Sequence, residues 1–281
     1  MKKGLVLEGG GMRGLFSAGV MDVMMEHGIR FDGIVGVSAG ASFGCNYKSH
    51  QIGRVLRYNV RFKDDPRYMG LRSLLRTGDL VAAEFSYHTL PNELDVFDYK
   101  TYNQDPTEFH VVCTDVLTGE SVYHRLDKMD DEGLEWIRAS ASMPLVSKPV
   151  NIDGKLLLDG GISDSIPLRY FQEQGFERNI VILTQPKGFF KKKTKLMPLF
   201  HLFMRKYPAI VQAMARRHLM YNEELVYLEE QKQLGNILLI YPQDIVPIGR
   251  TEQNETKMRH VYEMGREKAE EKLSEILRFL R

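Results

Sequence analysis

Ser38 is the residue with the clearest opportunity for chemistry. It stands in Gly36-Val37-Ser38-Ala39-Gly40, with a glycine two residues to either side, where an apolar run through Ile34 and Val35 gives way to small residues. That is the sequence form of a nucleophile elbow, a serine on a sharp strand-to-helix turn whose glycines let backbone and side chain clear each other so that Oγ projects from the sheet. The chemistry implied is covalent attack by the hydroxyl. A small-residue turn after a buried strand also forms for packing alone, so the partners such a serine needs must be found elsewhere in the chain.

The first partner is Glu8-Gly9-Gly10-Gly11-Met12-Arg13-Gly14, which follows the apolar run Leu5-Val6-Leu7 and precedes apolar residues at helical spacing from Phe16 to His27. A strand, a glycine loop and a helix start together aim free backbone N–H groups at one point, which attracts an anion. The spacing Gly9-x-Gly11-x-x-Gly14 also fits a dinucleotide fingerprint, but that motif wants an acidic residue at the end of the second strand. Asp32 precedes the expected second strand, Gly33 to Val37, and Ser38 occupies the end where the acid belongs. The other anion is the tetrahedral oxyanion of acyl transfer, which needs converging N–H groups beside a nucleophile. With strands one and two adjacent in a parallel sheet, the glycine loop and Ser38 become neighbours, and the oxyanion reading is preferred.

A serine also needs a base. None of the eight histidines stands in a recognisable catalytic motif, whereas Asp159 follows Leu156-Leu157-Leu158 and precedes Gly160-Gly161. It is expected at the C-terminal end of a buried strand, with a turn that frees its carboxylate. An aspartate in a strand-ending turn is common in its own right, and the elbow serine upstream is what gives this one a partner.

With these residues in place the chain resembles the patatin-like phospholipase family. The resemblance rests on Gly9-Gly10-Gly11-Met12-Arg13-Gly14, Gly36-Val37-Ser38-Ala39-Gly40 and Asp159-Gly160-Gly161 in the family's order. Ala139-Ser140-Ala141-Ser142-Met143-Pro144 is a softer fourth match, and nothing beyond Ile166 carries over. The resemblance implies a patatin-like serine hydrolase working through a Ser38–Asp159 dyad without a catalytic histidine. It implies oxyanion donors at Gly10 and Gly11 with Gly9 and Met12 beside them, and positive charge from Arg13 near the oxyanion or a substrate phosphate. The N–H of Ala39, directly after the nucleophile, is a further donor by the general geometry of elbows.

An aspartate is a weak base in water, with a pKa near about 4, so a dyad needs an environment that raises its basicity. Burial at the end of a parallel sheet would do so, and Arg13 must then face the oxyanion rather than Asp159. Acylation of Ser38 by an ester, protonation of the leaving alcohol by Asp159 and activation of water by the same residue follow. Two other readings stay open. In a Ser-His-Asp esterase, His201, His218 or His260 would be the base, although that fold places its elbow after several strands rather than the second. A catalytically silent membrane-surface or regulatory module would keep the fold without turnover.

The elements that must position these residues alternate along the chain, and they lead to an α/β fold, a three-layer α/β/α sandwich with a mostly parallel sheet. Strands are expected at Phe109 to Val116, Lys155 to Leu158, Asn179 to Thr184 and Asn236 to Tyr241, with Val122 and Tyr123 at an edge. Helices are expected over Leu134 to Ser142, over Ile166 to Gln174 with Pro167 in the first turn, and over Glu252 to Arg281. A catalytic domain is expected over 4–170, with 171–281 as an extension completing the sheet and adding helices. The 281 residues are 43% hydrophobic, enough for a large core, and carry a formal net charge of only +1. Cys45 and Cys113 form no disulfide framework, no metal-ligand spacing is visible, and the chemistry calls for no cofactor.

One segment departs from this balance. From Lys187 to Arg217 there is no acidic residue, and Lys191, Lys192, Lys193, Lys195, Arg205 and Lys206 alternate with Phe189, Phe190, Leu196, Leu199, Phe200 and Phe203. Such a stretch suits peripheral contact with an anionic lipid surface, or else it is a solvated loop and a helix packing its apolar side on the core. No nucleic-acid module accompanies it. The start of the chain runs straight into the first strand and no apolar run approaches about 20 residues, so a cytoplasmic protein is expected, acting on a lipid or other fatty-acyl ester.

Overall fold

The computed structural model describes residues 1–281. Eight strands form one sheet: β1 (Lys2–Leu7), β2 (Gly33–Val37), β3 (Glu108–Asp115), β4 (Ser121–Arg125), β5 (Val150–Ile152), β6 (Lys155–Asp159), β7 (Phe176–Ile182) and β8 (Ile237–Ile240). The helices are α1 (Leu15–Glu26), α2 (Ala39–Lys48), α3 (Arg54–Arg61), α4 (Leu71–Thr77), α5 (Tyr99–Gln104), α6 (Asp131–Ser140), α7 (Leu168–Glu173), α8 (Met197–Phe203), α9 (Pro208–Gln233) and α10 (Glu255–Phe279). A wide π-helical stretch, Phe85–Leu94, lies between α4 and α5. No helix is long and apolar enough to cross a membrane.

The strands pair in the succession β5-β6-β3-β2-β1-β7-β8, with β4 also on β3. β8, β7, β1, β2 and β3 are mutually parallel, while β4 and the β5–β6 hairpin run antiparallel to their neighbours. Alternate strand residues face two apolar layers. Leu5, Leu7, Ile34, Phe109 and Val111 join the larger core with α1, α2 and α10, whereas Val6, Val35, Val37 and Val112 join a smaller core with α7 and α9. This is the three-layer α/β/α arrangement with a mostly parallel sheet. In it, strands covered on both faces carry near-continuous apolar runs because neither side meets water. In the outer layer α1 and α10 come together at Gly19 and Gly265, where a Cβ would strike the opposing backbone oxygens of Tyr262 and Phe16. Tyr262 also donates to the buried Asp22 carboxyl at 2.6 Å.

Two local expectations give way to the structure. The helix starting after Ile166 begins only at Leu168, with Pro167 as its N-cap rather than inside its first turn. The strand carrying Asp159 is not one of the parallel set; it is the second arm of a hairpin antiparallel to β3.

That antiparallel arm creates the geometry on which the site depends. On β3, β4 pairs with residues 110–114, β2 with 108–112 and β6 with 113–115. Since β4 fills one edge, β2 and β6 share the other, end to end. Val37 is opposite Val112, and Asp159 is opposite the next residue, Cys113. The strand ending in the serine and the strand ending in the aspartate therefore stop against each other at one seam.

Candidate active site

At the seam, Ser38 has φ 57° and ψ −122°, a conformation that an L-residue adopts only when its surroundings enforce it. The enforcement is steric. A Cβ at Gly36 would come within 2.6 Å of the Gly40 and Ala41 backbone, and one at Gly9 within 2.9 Å of Ser38 Cβ and Val37 O. Gly40 meets the Leu7 carbonyl, and Gly14 lets the glycine loop rest on Ala39 and Phe43 of α2. The spacing read from the sequence is thus a set of close backbone approaches.

A hydroxyl completes the seam. Ser140, at the end of α6 and fully buried, accepts from Ser38 N–H at 2.9 Å and donates to Val112 O at 2.6 Å. Where β2 stops, both backbone groups would otherwise be buried without a partner. The carbonyl of Ser142, two residues on, accepts from Asp159 N–H at 2.8 Å. The segment Ala139–Pro144 thereby holds both the serine and the aspartate.

Asp159 is 6% exposed. Its Oδ1 accepts from Gly161 N–H at 2.8 Å and its backbone carbonyl accepts from Thr114 Oγ1 at 2.9 Å. Gly160 fits because a Cβ there would strike Val112 O. Burial pushes the Asp159 carboxyl above the usual carboxylate range, and the Ser38 hydroxyl, the Arg217 charge and Gly161 N–H offset this only in part. The result is a desolvated carboxyl at the end of β6, where that strand abuts the strand that ends at Ser38.

Beside it, the N–H groups of Gly9, Gly10, Gly11 and Ala39 are not taken up by any other group of the protein. Met12 departs from the expected donor set, because its N–H donates to Arg250 O at 3.0 Å. Arg13 Nε donates to Gly10 O at 3.3 Å, and its guanidinium lines the cavity over the loop. Glu8 is engaged by Thr184 N–H at 2.6 Å, Thr184 Oγ1 at 3.0 Å and Tyr221 OH at 2.6 Å, which ties the loop to the chain beyond β7.

Two cavities meet at Ser38. One, of about 830 Å³, is lined by Ser38, Asp159, the glycine loop and five cations, Arg13, Lys191, Lys192, Arg217 and Arg250. The other, of about 160 Å³, is mainly apolar, with Phe43, Tyr58, Leu90, Phe97 and Leu134 in its wall. No group of three His, Cys, Asp or Glu side chains is placed to hold a metal ion.

Sequence reasoning assigned Lys191 and Arg217 to a surface segment, and the structure turns both inward. Arg217 donates from Nε to Gly161 O beside Asp159, and Lys191 lies 3.8 Å over the Tyr221 ring, its backbone clasped by Asn222 at 2.9 and 3.0 Å. Burial and neighbouring cations push the Lys191 ammonium down to about 7. Phe200 and Met204 are buried, while Phe190, Leu196, Leu199, Leu202 and Phe203 remain exposed. Of the three histidines of the triad reading, His201 and His260 are exposed and away from the cavity, and His218 lines it with Nδ1 unpartnered. Ser140, Arg217, Lys191 and Arg250 were beyond sequence reasoning as site residues, since only the tertiary fold brings them to Ser38.

The family model for patatin-like phospholipase matches residues 5–171, and one for a domain of unknown function matches residues 207–281. The uncharacterized protein YjjU of Escherichia coli (strain K12) is 32% identical over 201 residues, covering 65% of this chain and 52% of YjjU. An uncharacterized NTE family protein of Mycobacterium tuberculosis is 33% identical over 167 residues, covering 58% of this chain and 44% of that protein. Lysophospholipase NTE1 of Cryptococcus neoformans var. neoformans is 30% identical over 182 residues, covering 64% of this chain and 11% of the fungal protein. Among solved structures, VipD from Legionella pneumophila superposes with a TM-score of 0.49 and 14% identity, over 98% of this chain and 67% of VipD. The chain spans about half the length of the first two relatives. With the family model matching more than half of its residues, the chain belongs to the patatin-like phospholipase family.

Proposed function

We propose that this protein is a serine acyl hydrolase that cleaves lipid acyl esters through Ser38 and Asp159. The observation that carries the reading is the seam on β3, where the strand ending in a strained serine meets the strand ending in a desolvated carboxyl, beside free loop N–H groups. Ser38 Oγ passes its proton to Asp159 and bonds to the ester carbon, and the oxyanion so formed sits against the N–H groups of Gly10, Gly11 and Ala39. As the tetrahedral species collapses, the C–O bond to the alcohol breaks and Asp159 protonates the leaving oxygen. Water then gives a proton to Asp159 and attacks the acyl carbon, and Ser38 recovers the proton as the carboxylic acid leaves. The apolar cavity suits the acyl chain and the cationic cavity the alcohol half. The lysophospholipase name of a relative supports a lipid ester as the substrate. The exposed Phe190, Leu199, Leu202 and Phe203, interspersed with lysines, would rest on an anionic lipid surface at the mouth of the larger cavity.

The test is hydrolysis of p-nitrophenyl esters of increasing acyl length, with Ser38→Ala, Asp159→Asn and His218→Ala alongside the parent protein. Loss in the first two and retention in the third is expected. Retention in Asp159→Asn with loss in His218→Ala would replace the dyad by a histidine-based triad. Failure of every form, with no labelling of Ser38 by a fluorophosphonate, would leave a catalytically silent module.

A further inference from the structure

Arg13, Lys191, Arg217 and Arg250 line one cavity, and none of them makes an ion pair, although charged side chains elsewhere in the protein commonly do. They are close enough that Arg13, Arg217 and Arg250 all repel the Lys191 ammonium. Two carboxylates face the same space. Glu8 is saturated by Thr184 and Tyr221, and Asp159 accepts from Gly161 N–H at the end of the strand that abuts Ser38. With Lys192 also in its lining, this half-buried cavity holds five basic side chains and no free acid, and it is electrostatically incomplete without an anion. Guanidinium groups beside an ammonium match a phosphate, which can accept from several donors at once.

Lys191, Arg217 and Arg250 lie beyond the residues that match the patatin-like phospholipase model. Each is carried by a different part of the later chain: the loop after β7, helix α9 and the loop before α10. Arg250 is pinned in place by its carbonyl, which accepts from Met12 N–H at 3.0 Å, and that bond ties its loop to the glycine turn. The anion site is therefore assembled over the catalytic loop by the part of the chain that the family motifs do not describe.

We infer that Lys191 and Arg250, with Arg217 and Arg13, select esters whose alcohol half ends in a phosphomonoester, in preference to zwitterionic phosphocholine or uncharged esters. This rests on the proposed acyl hydrolysis. A dianion answers the accumulated charge more fully than a phosphodiester does. The cavity has no free carboxylate to receive a choline ammonium, whose positive charge would add to those already present.

The experiment compares kcat/KM for 1-palmitoyl-glycerol-3-phosphate, 1-palmitoyl-glycerophosphocholine and 1-palmitoylglycerol, presented below their aggregation concentrations. Parent protein and the Lys191→Met/Arg250→Met double variant are both measured. At least a tenfold preference for the phosphomonoester is expected, collapsing to under threefold in the double variant. Preference for the phosphocholine ester, or an equal loss on all three in the variant, would overturn the inference. A second arm measures binding of the ether analogue 1-O-hexadecyl-glycerol-3-phosphate to Ser38→Ala, with and without the two substitutions. A tenfold or greater weakening supports the site even if no ester is turned over, in which case hydrolysis fails and the subsite stands. Inorganic phosphate binding to Ser38→Ala as tightly as the ether lipid would make this a free-anion site and overturn selection of a lipid. Arg250→Met alone, an exposed side chain, serves if the double variant does not fold.

Discussion

Ser140→Ala is the perturbation that separates the seam from ordinary packing. The hydroxyl is buried and bonds Ser38 N–H and Val112 O at 2.9 and 2.6 Å, so its removal orphans a donor and an acceptor at once. A buried polar group left unpaired costs about 1–3 kcal/mol, so the pair costs roughly 2–4 kcal/mol after some relaxation. Domains are stable by only about 5–15 kcal/mol, so this loss is readily measured as a fall in the urea midpoint with unchanged slope. Activity should suffer further. Ser38 holds a backbone conformation with a strain of about 1–3 kcal/mol, and the Ser140 bond is among the forces that keep it there. Relaxation that moves Oγ by about 1 Å lowers turnover on the order of 100-fold, read as kcat on p-nitrophenyl esters. Ser142→Ala is the comparison, because its hydroxyl only returns to Arg138 O at 2.8 Å and its backbone carbonyl survives. It should cost about 1 kcal/mol and change kcat only a few-fold. If Ser140→Ala proved no worse than Ser142→Ala in both stability and kcat, the hydroxyl would not be holding the end of β2.

Asp159 must be ionised to accept a proton, and burial raises its pKa, so activity should fall with decreasing pH through a limb above the ordinary carboxylate range. Arg217→Gln removes a charge that lowers that pKa and should move the limb upward in a kcat/KM profile; an unmoved limb would mean that Arg217 does not act on Asp159. Lys191 loses its charge as pH rises through about 7, with Glu8 opposing that loss and Arg13, Arg217 and Arg250 favouring it. The KM of a phosphomonoester should therefore rise with pH above that point while that of a neutral ester stays level, and parallel curves for the two would refute this. Behind the site, burial and the adjacent Asp164 carboxyl hold Glu224 well above the usual range. The native state thus keeps a proton that the unfolded chain has released, and stability falls as pH rises past the unfolded carboxylate value of about 4. Glu224→Gln should raise the urea midpoint more at pH 8 than at pH 4.5, and an equal shift at both would count against a titrating pair.

Local patterns carried most of the element reading. The runs at Leu5, Ile34 and Phe109 are apolar on both faces because helices cover both sides of the sheet, and β1, β2 and β3 follow from that. The hairpin was harder to read, because Leu156-Leu157-Leu158 says that a strand is buried but not which way it runs. Direction depends on the connection that delivers the strand, here a return from α6 through β5. The basic segment is legible only in part for a related reason. Charge and hydropathy show that lysines and arginines alternate with apolar residues, but not that Lys191 and Arg217 point inward while Phe190 and Phe203 point out.

The sequence by itself determined the parts whose chemistry is local. A serine between two glycines, a run of three glycines after a strand and an aspartate before a glycine pair each need particular backbone conformations within a few residues, and composition records that need directly. Tertiary structure alone decided how those parts meet. β2 and β6 end against each other on one edge of β3, Ser140 closes the gap, Met12 is diverted to Arg250, and cations from separate elements gather over the loop. The physical reason is that each of these depends on pairings between residues tens to hundreds of positions apart, which sheet register and helix packing settle and no local spacing encodes.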